Sequence, residues 1–182
     1  SPFRSEGLAS VEQLNAAIRE LVNPARDEFA DLKVGSHYFR VGDKVMQTKN
    51  NAKASNGDIG YIRKMGRNAK NEMVVTIEFS GDRIAEYGME EMGHMELAYA
   101  TTVHKAMGSE FDIVIMPILR SHYIMLNRNI VYTAITRAKE QVIPVGQKKA
   151  LIMAIIKKAT GKRNTQLGER IGIYLKAFTR QN

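Results

Sequence analysis

The sequence predicts an α/β fold in which a parallel β-sheet with covering helices carries a small β-barrel. Three observations predict it. First, residues 97–146 read as strand, turn with helix, strand, loop, helix and strand, with continuous apolar runs at 97–100, 113–118 and 142–145. Runs of that kind suit strands buried on both faces of a parallel sheet. Second, the segment 129–140 places Ile130, Val131, Ala134, Ile135 and Ala138 on one face of a helix. Third, the texture changes between Tyr38 and about Tyr87 to short strands, with Asn56-Gly57 and Ser80-Gly81-Asp82 as turns. Glycine relieves the strain of positive φ in such turns, and the pattern suits a small barrel.

Each element follows from its residues. Ser1-Pro2-Phe3-Arg4 reads as the end of a strand, with no initiator methionine before it. A helix is expected over 11–22, where Ser10 with Gln13 offers a capping box and Val11, Leu14, Ile18, Leu21 and Val22 share a face. Asn23-Pro24 ends it, and 25–34 reads as a linker of mixed charge. Strands are expected at 44–48, 59–64, 73–79 and 83–87, followed by an acidic return over 90–96. Met89, Met92 and Met95 there suit irregular packing. A helix over 148–159, with Ala150, Leu151, Ala154 and Ile155 inward, stops near Gly161. A second helix over 166–178 brings Leu167, Ile171, Tyr174, Leu175 and Phe178 to cap the core or to dock another domain.

Composition narrows the function. A chain of 182 residues holds one good core, or one core with a small satellite. Its apolar fraction of 44% and mean hydropathy of −0.29 are ordinary for a soluble domain. No apolar run approaches a membrane span. The absence of cysteine excludes disulfides and thiolate metal sites and fits a cytoplasmic location. Four dispersed histidines (His37, His94, His104 and His122) show no metal-ligand spacing. The net charge of +8, from 27 basic and 19 acidic side chains, favours polyanionic partners such as nucleic acid. An inert basic surface has the same composition.

The polar clusters Thr101-Thr102-Val103-His104-Lys105 and Thr136-Arg137-Ala138-Lys139 stand where strands meet helices, the edge at which open α/β sheets bind ligands. TVHKAMGSEFD at 102–112 and VYTAITRAKE at 131–140, with MLNRN at 125–129 between them, resemble motifs V and VI of the RecD-like branch of superfamily 1 helicases. FRVGDKVMQTKN (39–50), NGDIG (56–60) and SPFR (1–4) resemble the region that precedes them in that family. The resemblance covers nearly the whole chain and weakens after Lys149.

It implies a RecA-like, P-loop-NTPase-type parallel sheet with helices, a second motor domain without its own phosphate loop, carrying an inserted SH3-like β-barrel. Residues 1–34 would form its first part, 35–96 the barrel, and 97–182 the remainder with the C-terminal helices. The activity implied is that of an ATP-dependent DNA helicase moving 5′ to 3′ on single-stranded DNA. Its cofactors are ATP and Mg2+, with the magnesium ligands expected on an upstream RecA-like domain of the same protein. That domain, single-stranded DNA and further subunits of a helicase–nuclease complex are the implied partners, and no membrane is involved.

The resemblance also assigns roles. Arg137 looks like the arginine finger, whose planar guanidinium grips a transferring phosphate with two hydrogen bonds. Arg4 reaches a nucleotide phosphate, Glu110 holds the nucleotide near its sugar, and Gly108 admits a close backbone approach. Thr102, His104 and Lys105 contact single-stranded DNA. Lys49 and Arg63 are candidates for phosphate contacts, together with Lys53, Lys64, Arg67 and Lys70. The sequence has no G-x-x-x-x-G-K-[ST] loop, so the isolated chain is expected to lack ATPase activity. Ala106 and Met107 stand where the family commonly has serine and glutamine, and methionine offers no comparable hydrogen bonds. Two other readings stay open: a nucleic-acid-binding or scaffold module without hydrolysis, and the motor half of a conjugative relaxase-helicase.

Overall fold

The computed structural model describes residues 1, 4, 5, 7, 9–26 and 31–157. The helix expected over 166–178, and the end of the one expected over 148–159, lie outside the described residues. In chain order the elements are α1 (Val11–Val22), β1 (Leu32–Val34), β2 (His37–Phe39), β3 (Lys44–Gln47), β4 (Ile59–Arg67), β5 (Met73–Phe79) and β6 (Arg83–Gly88). They continue with α2 (Met89–Met92), β7 (Met95–Leu97), β8 (Phe111–Ile118), α3 (Arg128–Ile135), β9 (Ala138–Gly146) and α4 (Lys148–Ile156).

The largest sheet has five strands in the order β6-β5-β4-β3-β7, and every pairing in it is antiparallel. Short turns between successive strands reverse the chain, which only antiparallel neighbours accommodate. At the β5–β6 turn, Gly81 and Asp82 both have positive φ, of 76° and 58°. These are residue types that tolerate such angles. Strand β5 alternates cleanly, burying Val75, Ile77 and Phe79. They meet Phe39, Val45, Ile62, Tyr87, Met92 and Met95 in one apolar core. Met92 and Met95 are thus packing residues.

Three expectations fail here. The principal sheet is not a parallel RecA-type core, because parallel pairing among the described residues is confined to β8 and β9. The run at 97–100 is not a parallel strand either: β7 ends at Leu97 and pairs antiparallel with β3. No closed SH3-like barrel forms, since β6 pairs only with β5 and β7 only with β3 among the described residues. Closure requires those two edges to join, and they do not.

Helix α1 spans the expected residues, and the Ser10 hydroxyl accepts from the Gln13 backbone N–H at 3.3 Å. Its expected apolar face is only partly inward: Val11, Leu14 and Ile18 are half-buried, but the last turn is not. Leu21 is 82% exposed and Val22 63%, while Asn15 and Arg19 are buried. The cause is Asp43, whose side chain has no exposure. Its carboxylate accepts from Arg19 Nε at 3.0 Å, Asn23 Nδ2 at 2.9 Å, the Arg40 backbone N–H at 2.8 Å and the Tyr99 hydroxyl at 3.0 Å. Arg19 Nη2 lies 2.7 Å from its other oxygen. A buried carboxylate survives only with a cation and donors on its lone pairs, so the helix turns Arg19 inward. Asn15 exchanges two hydrogen bonds with the backbone of Ala100, at 3.0 and 2.8 Å.

The stretch read as a mixed-charge linker contains more order than expected. β1 and β2 form a hairpin about Gly35, whose φ is 59°. Asp31 accepts two hydrogen bonds from Arg40, at 2.9 and 3.0 Å.

Strands β8 and β9 run parallel from Phe111↔Ala138 to Ile118↔Gly146. Helix α3 lays Ile130, Val131 and Ala134 against Met116, Ile118, Leu126, Ala150 and Ala154. It ends at Ile135, five residues short of the expected boundary, because Ala138 joins β9. A short apolar segment suits either period, and here the ladder to β8 wins. In α4, Ala150 and Ala154 face inward as expected, whereas Ile155 is exposed.

Candidate functional site

The segment after β7 is held by its neighbours before it reaches β8. Asn15 fixes Ala100, and the Val103 N–H donates to the Ser1 carbonyl at 3.3 Å. Residues 103–108 form successive turns, with Ala106 N–H bonded to the Thr102 carbonyl at 3.1 Å and Ser109 N–H to the Ala106 carbonyl at 3.2 Å. The Thr102 hydroxyl accepts from the Lys105 N–H at 3.1 Å. Val103 and Ala106 are buried anchors, so His104, Met107, Gly108 and Glu110 face outward. Gly108 has a φ of 89°, and a Cβ there would meet nothing within 4 Å. Within the protein, therefore, this glycine serves the turn conformation.

Lys105 and Arg4 meet on one carboxylate. Lys105 Nζ donates to Glu96 Oε2 at 2.5 Å, and Arg4 Nη2 to Glu96 Oε1 at 3.1 Å. These three side chains surround a small pocket together with Thr101 and Thr102. In the sequence Glu96 reads only as part of an acidic return. The signal was an acidic side chain only six residues before Thr102, where the basic motif begins.

Arg137 occupies the two-residue connection between α3 and β9 rather than a helix face. Its carbonyl accepts from the Phe111 N–H at 2.9 Å, which closes the first rung beside β8. Its Nη1 donates to the Ser109 carbonyl at 3.3 Å and its Nη2 to the Thr136 hydroxyl at 3.5 Å. Nε is buried without a hydrogen-bond partner among the described residues. Arg137 shares a groove of about 400 Å³ with Thr101, Thr102, Val103 and Ala106. Thr102 therefore lines both this groove and the pocket of Arg4 and Lys105.

Lys49 and Arg63 line neither cavity. Lys49 is exposed beyond β3. Arg63 pairs with Glu78 across β4 and β5 and lies 5.5 Å from the centre of the Tyr61 ring. Lys53 is paired with Glu91 at 2.6 Å and lies 5.0 Å from the Tyr87 ring centre. The Lys53 hydrogen bond holds the Glu91 carboxyl below its ordinary value. Burial, followed by the Asp43 charge, pushes the Tyr99 phenol up. Among the described residues no group of three or more His, Asp or Glu side chains gathers to hold a metal ion. No described helix is long and apolar enough to cross a membrane.

Comparison with known proteins places the chain in a family. Residues 97–145, which contain Lys105 and Arg137, match the UvrD-like helicase C-terminal domain. Residues 14–79 match the ATP-dependent RecD-like DNA helicase SH3 domain. The ATP-dependent RecD2 DNA helicase of Deinococcus radiodurans is 35% identical over 173 residues, 94% of this chain and 23% of that protein. The RecBCD enzyme subunit RecD of Haemophilus influenzae is 32% identical over 132 residues, 71% of this chain and 18% of its own. That of Mycolicibacterium smegmatis is 29% identical over 170 residues, 91% and 27% of the two chains. The chain belongs to the RecD-like, UvrD-type helicases of superfamily 1. It spans about a quarter or less of the length of these relatives.

Proposed function

We propose that the chain works as the C-terminal part of an ATP-dependent DNA helicase that couples hydrolysis to 5′–3′ movement on single-stranded DNA. The observation that carries this reading is the placement of Arg137. It stands between α3 and β9, bonded to Ser109, in a groove that reaches Thr102, three residues before Lys105. One short segment thus touches the guanidinium at one end and the basic track at the other.

In this reading Arg137 stabilises charge on a transferring phosphoryl group, and its Nε, buried without a hydrogen-bond partner among the described residues, is a donor the fold leaves unused. Thr102, His104 and Lys105 hold the backbone of the strand. Glu110 and Gly108, exposed beside the groove, border the nucleotide. The described residues supply no cluster suited to Mg2+. A further motor domain of the same protein carries the phosphate loop and the metal ligands. Association with other subunits of a helicase–nuclease complex, and work in the cytoplasm, belong to the same proposal.

The test is DNA-stimulated ATPase activity of the complete helicase that contains this chain. Arg137→Ala is expected to lower turnover by roughly 10³–10⁵-fold while single-stranded DNA binding persists. Arg137→Lys should stay low, since an ammonium lacks the planar fork. Turnover unchanged in both variants would overturn the reading.

A further inference from the structure

We infer that Glu96 is a displaceable counter-ion: it occupies the phosphate-binding position between Arg4 and Lys105, and an incoming phosphate group replaces it. The inference rests on the proposed function, which makes Lys105 a phosphate ligand, and on the family resemblance, which gives Arg4 a phosphate too, but it adds a residue and a competition that neither contains. Each oxygen of the Glu96 carboxylate serves one cation, at 3.1 Å from Arg4 and 2.5 Å from Lys105. The two cations are therefore held one carboxylate apart, a span that two oxygens of a single phosphate also bridge. Arg4 and Lys105 come from segments about a hundred residues apart, and Glu96 is what draws them together.

The exposure of the three side chains fits exchange rather than permanent closure. Arg4 is 58% exposed, Lys105 35% and Glu96 27%. Ion pairs this open contribute little to stability, so opening them costs little. The Thr102 hydroxyl borders the same pocket and offers a neutral donor beside the cations. In the free protein the carboxylate keeps both cations oriented while screening them from stray anions. Occupation by phosphate sets the carboxylate free.

The phosphate has two possible sources, a nucleic-acid backbone or a free polyphosphate chain, and the experiment separates them. Binding of labelled oligothymidylate to the 182-residue chain is measured by anisotropy across salt concentrations, with inorganic tripolyphosphate as competitor. Glu96→Gln keeps the shape of the side chain and removes its charge. It is expected to tighten binding about three- to tenfold at low salt, the scale of two partly exposed ion pairs that phosphate need no longer break. Glu90→Gln changes net charge equally, away from the pair, and should move affinity less than twofold.

The gain must vanish when Lys105→Ala is added, if DNA is the source. If tripolyphosphate is the source, Glu96→Gln strengthens its competition, and Arg4→Ala abolishes the gain. Glu96→Ala, with a thermal melt for each variant, guards against a folding defect. An unchanged affinity in Glu96→Gln, with Lys105→Ala still weakening binding, would overturn the counter-ion inference and leave the track assignment intact. An equal gain in Glu90→Gln would also overturn it, by reducing the effect to net charge. Indifference to Lys105→Ala and Arg4→Ala together would overturn both readings.

Discussion

Replacing Asp43 with asparagine keeps the size of the side chain and removes its charge, leaving Arg19 inside. Arg19 is 7% exposed, and its other acidic partner, Asp31, lies at 3.4 Å. The substitution also converts a group that accepts from Arg19, Asn23, Arg40 and Tyr99 into one with a single acceptor oxygen. Breaking a buried pair from one side costs about 3–5 kcal/mol. With a urea dependence of about 2 kcal/mol per molar, the unfolding midpoint should fall by about 1.5–2.5 M. Urea titration followed by circular dichroism reads it. The double variant Asp43→Asn with Arg19→Met removes the stranded cation, keeps an acceptor for the remaining donors and should recover more than half of the loss. A midpoint within about 0.5 M of the parent for Asp43→Asn would refute the view that this carboxylate anchors α1.

Two further outcomes follow from the same structure. Gly146 has a φ of 138°, and a Cβ there would lie 2.1 Å from the Ile118 carbonyl oxygen. Gly146→Ala should therefore cost upwards of about 3 kcal/mol in urea unfolding, whereas Gly66→Ala, with open space around it, should cost far less. Stability should also fall in acid. The Arg40 hydrogen bonds lower Asp31 from its ordinary 3.8, and Lys53 lowers Glu91 from 4.5. Carboxyls depressed in the folded state stabilise it fully above their unfolded values and lose that contribution as pH falls through their folded ones. The melting temperature should hold between neutral pH and about pH 5 and then drop. Lys53→Met should flatten part of that drop, and equal melting at pH 3 and pH 6 would contradict the assignment.

Much of the secondary structure was legible because its signals are local. Ser10 and Gln13 marked the start of α1, β5 was written in alternation, and glycine-bearing turns marked off the strands around it. What escaped was decided by distant partners. Nothing within α1 reveals that Asn15 and Arg19 face inward, since Asp43 and Ala100 lie far along the chain. Strands of three residues, such as β1 and β2, are too short for a period to register. Whether a set of hairpins closes into a barrel depends on its edges meeting, which local pattern does not encode. The site divides the same way. Arg137 and Lys105 stand in recognisable motifs, but Glu96 gains its role only through contacts with Arg4 and Lys105 across 92 and 9 residues.

The carbonyl of Arg137 belongs to the β8–β9 ladder, and its N–H is bonded to the Ala134 carbonyl at 3.2 Å. Its main chain is thus tied at both ends, to a strand rung and to the last turn of α3. The guanidinium swings only on its own side-chain torsions, with no hinge beneath it. Any gap beyond that reach has to be crossed by carrying β8, β9 and α3 together. In the proposed reading, contact with a phosphate would then follow the travel of these elements as a unit, and substitutions that loosen the seating of α3 on β8 would blur it while leaving Arg137 in place.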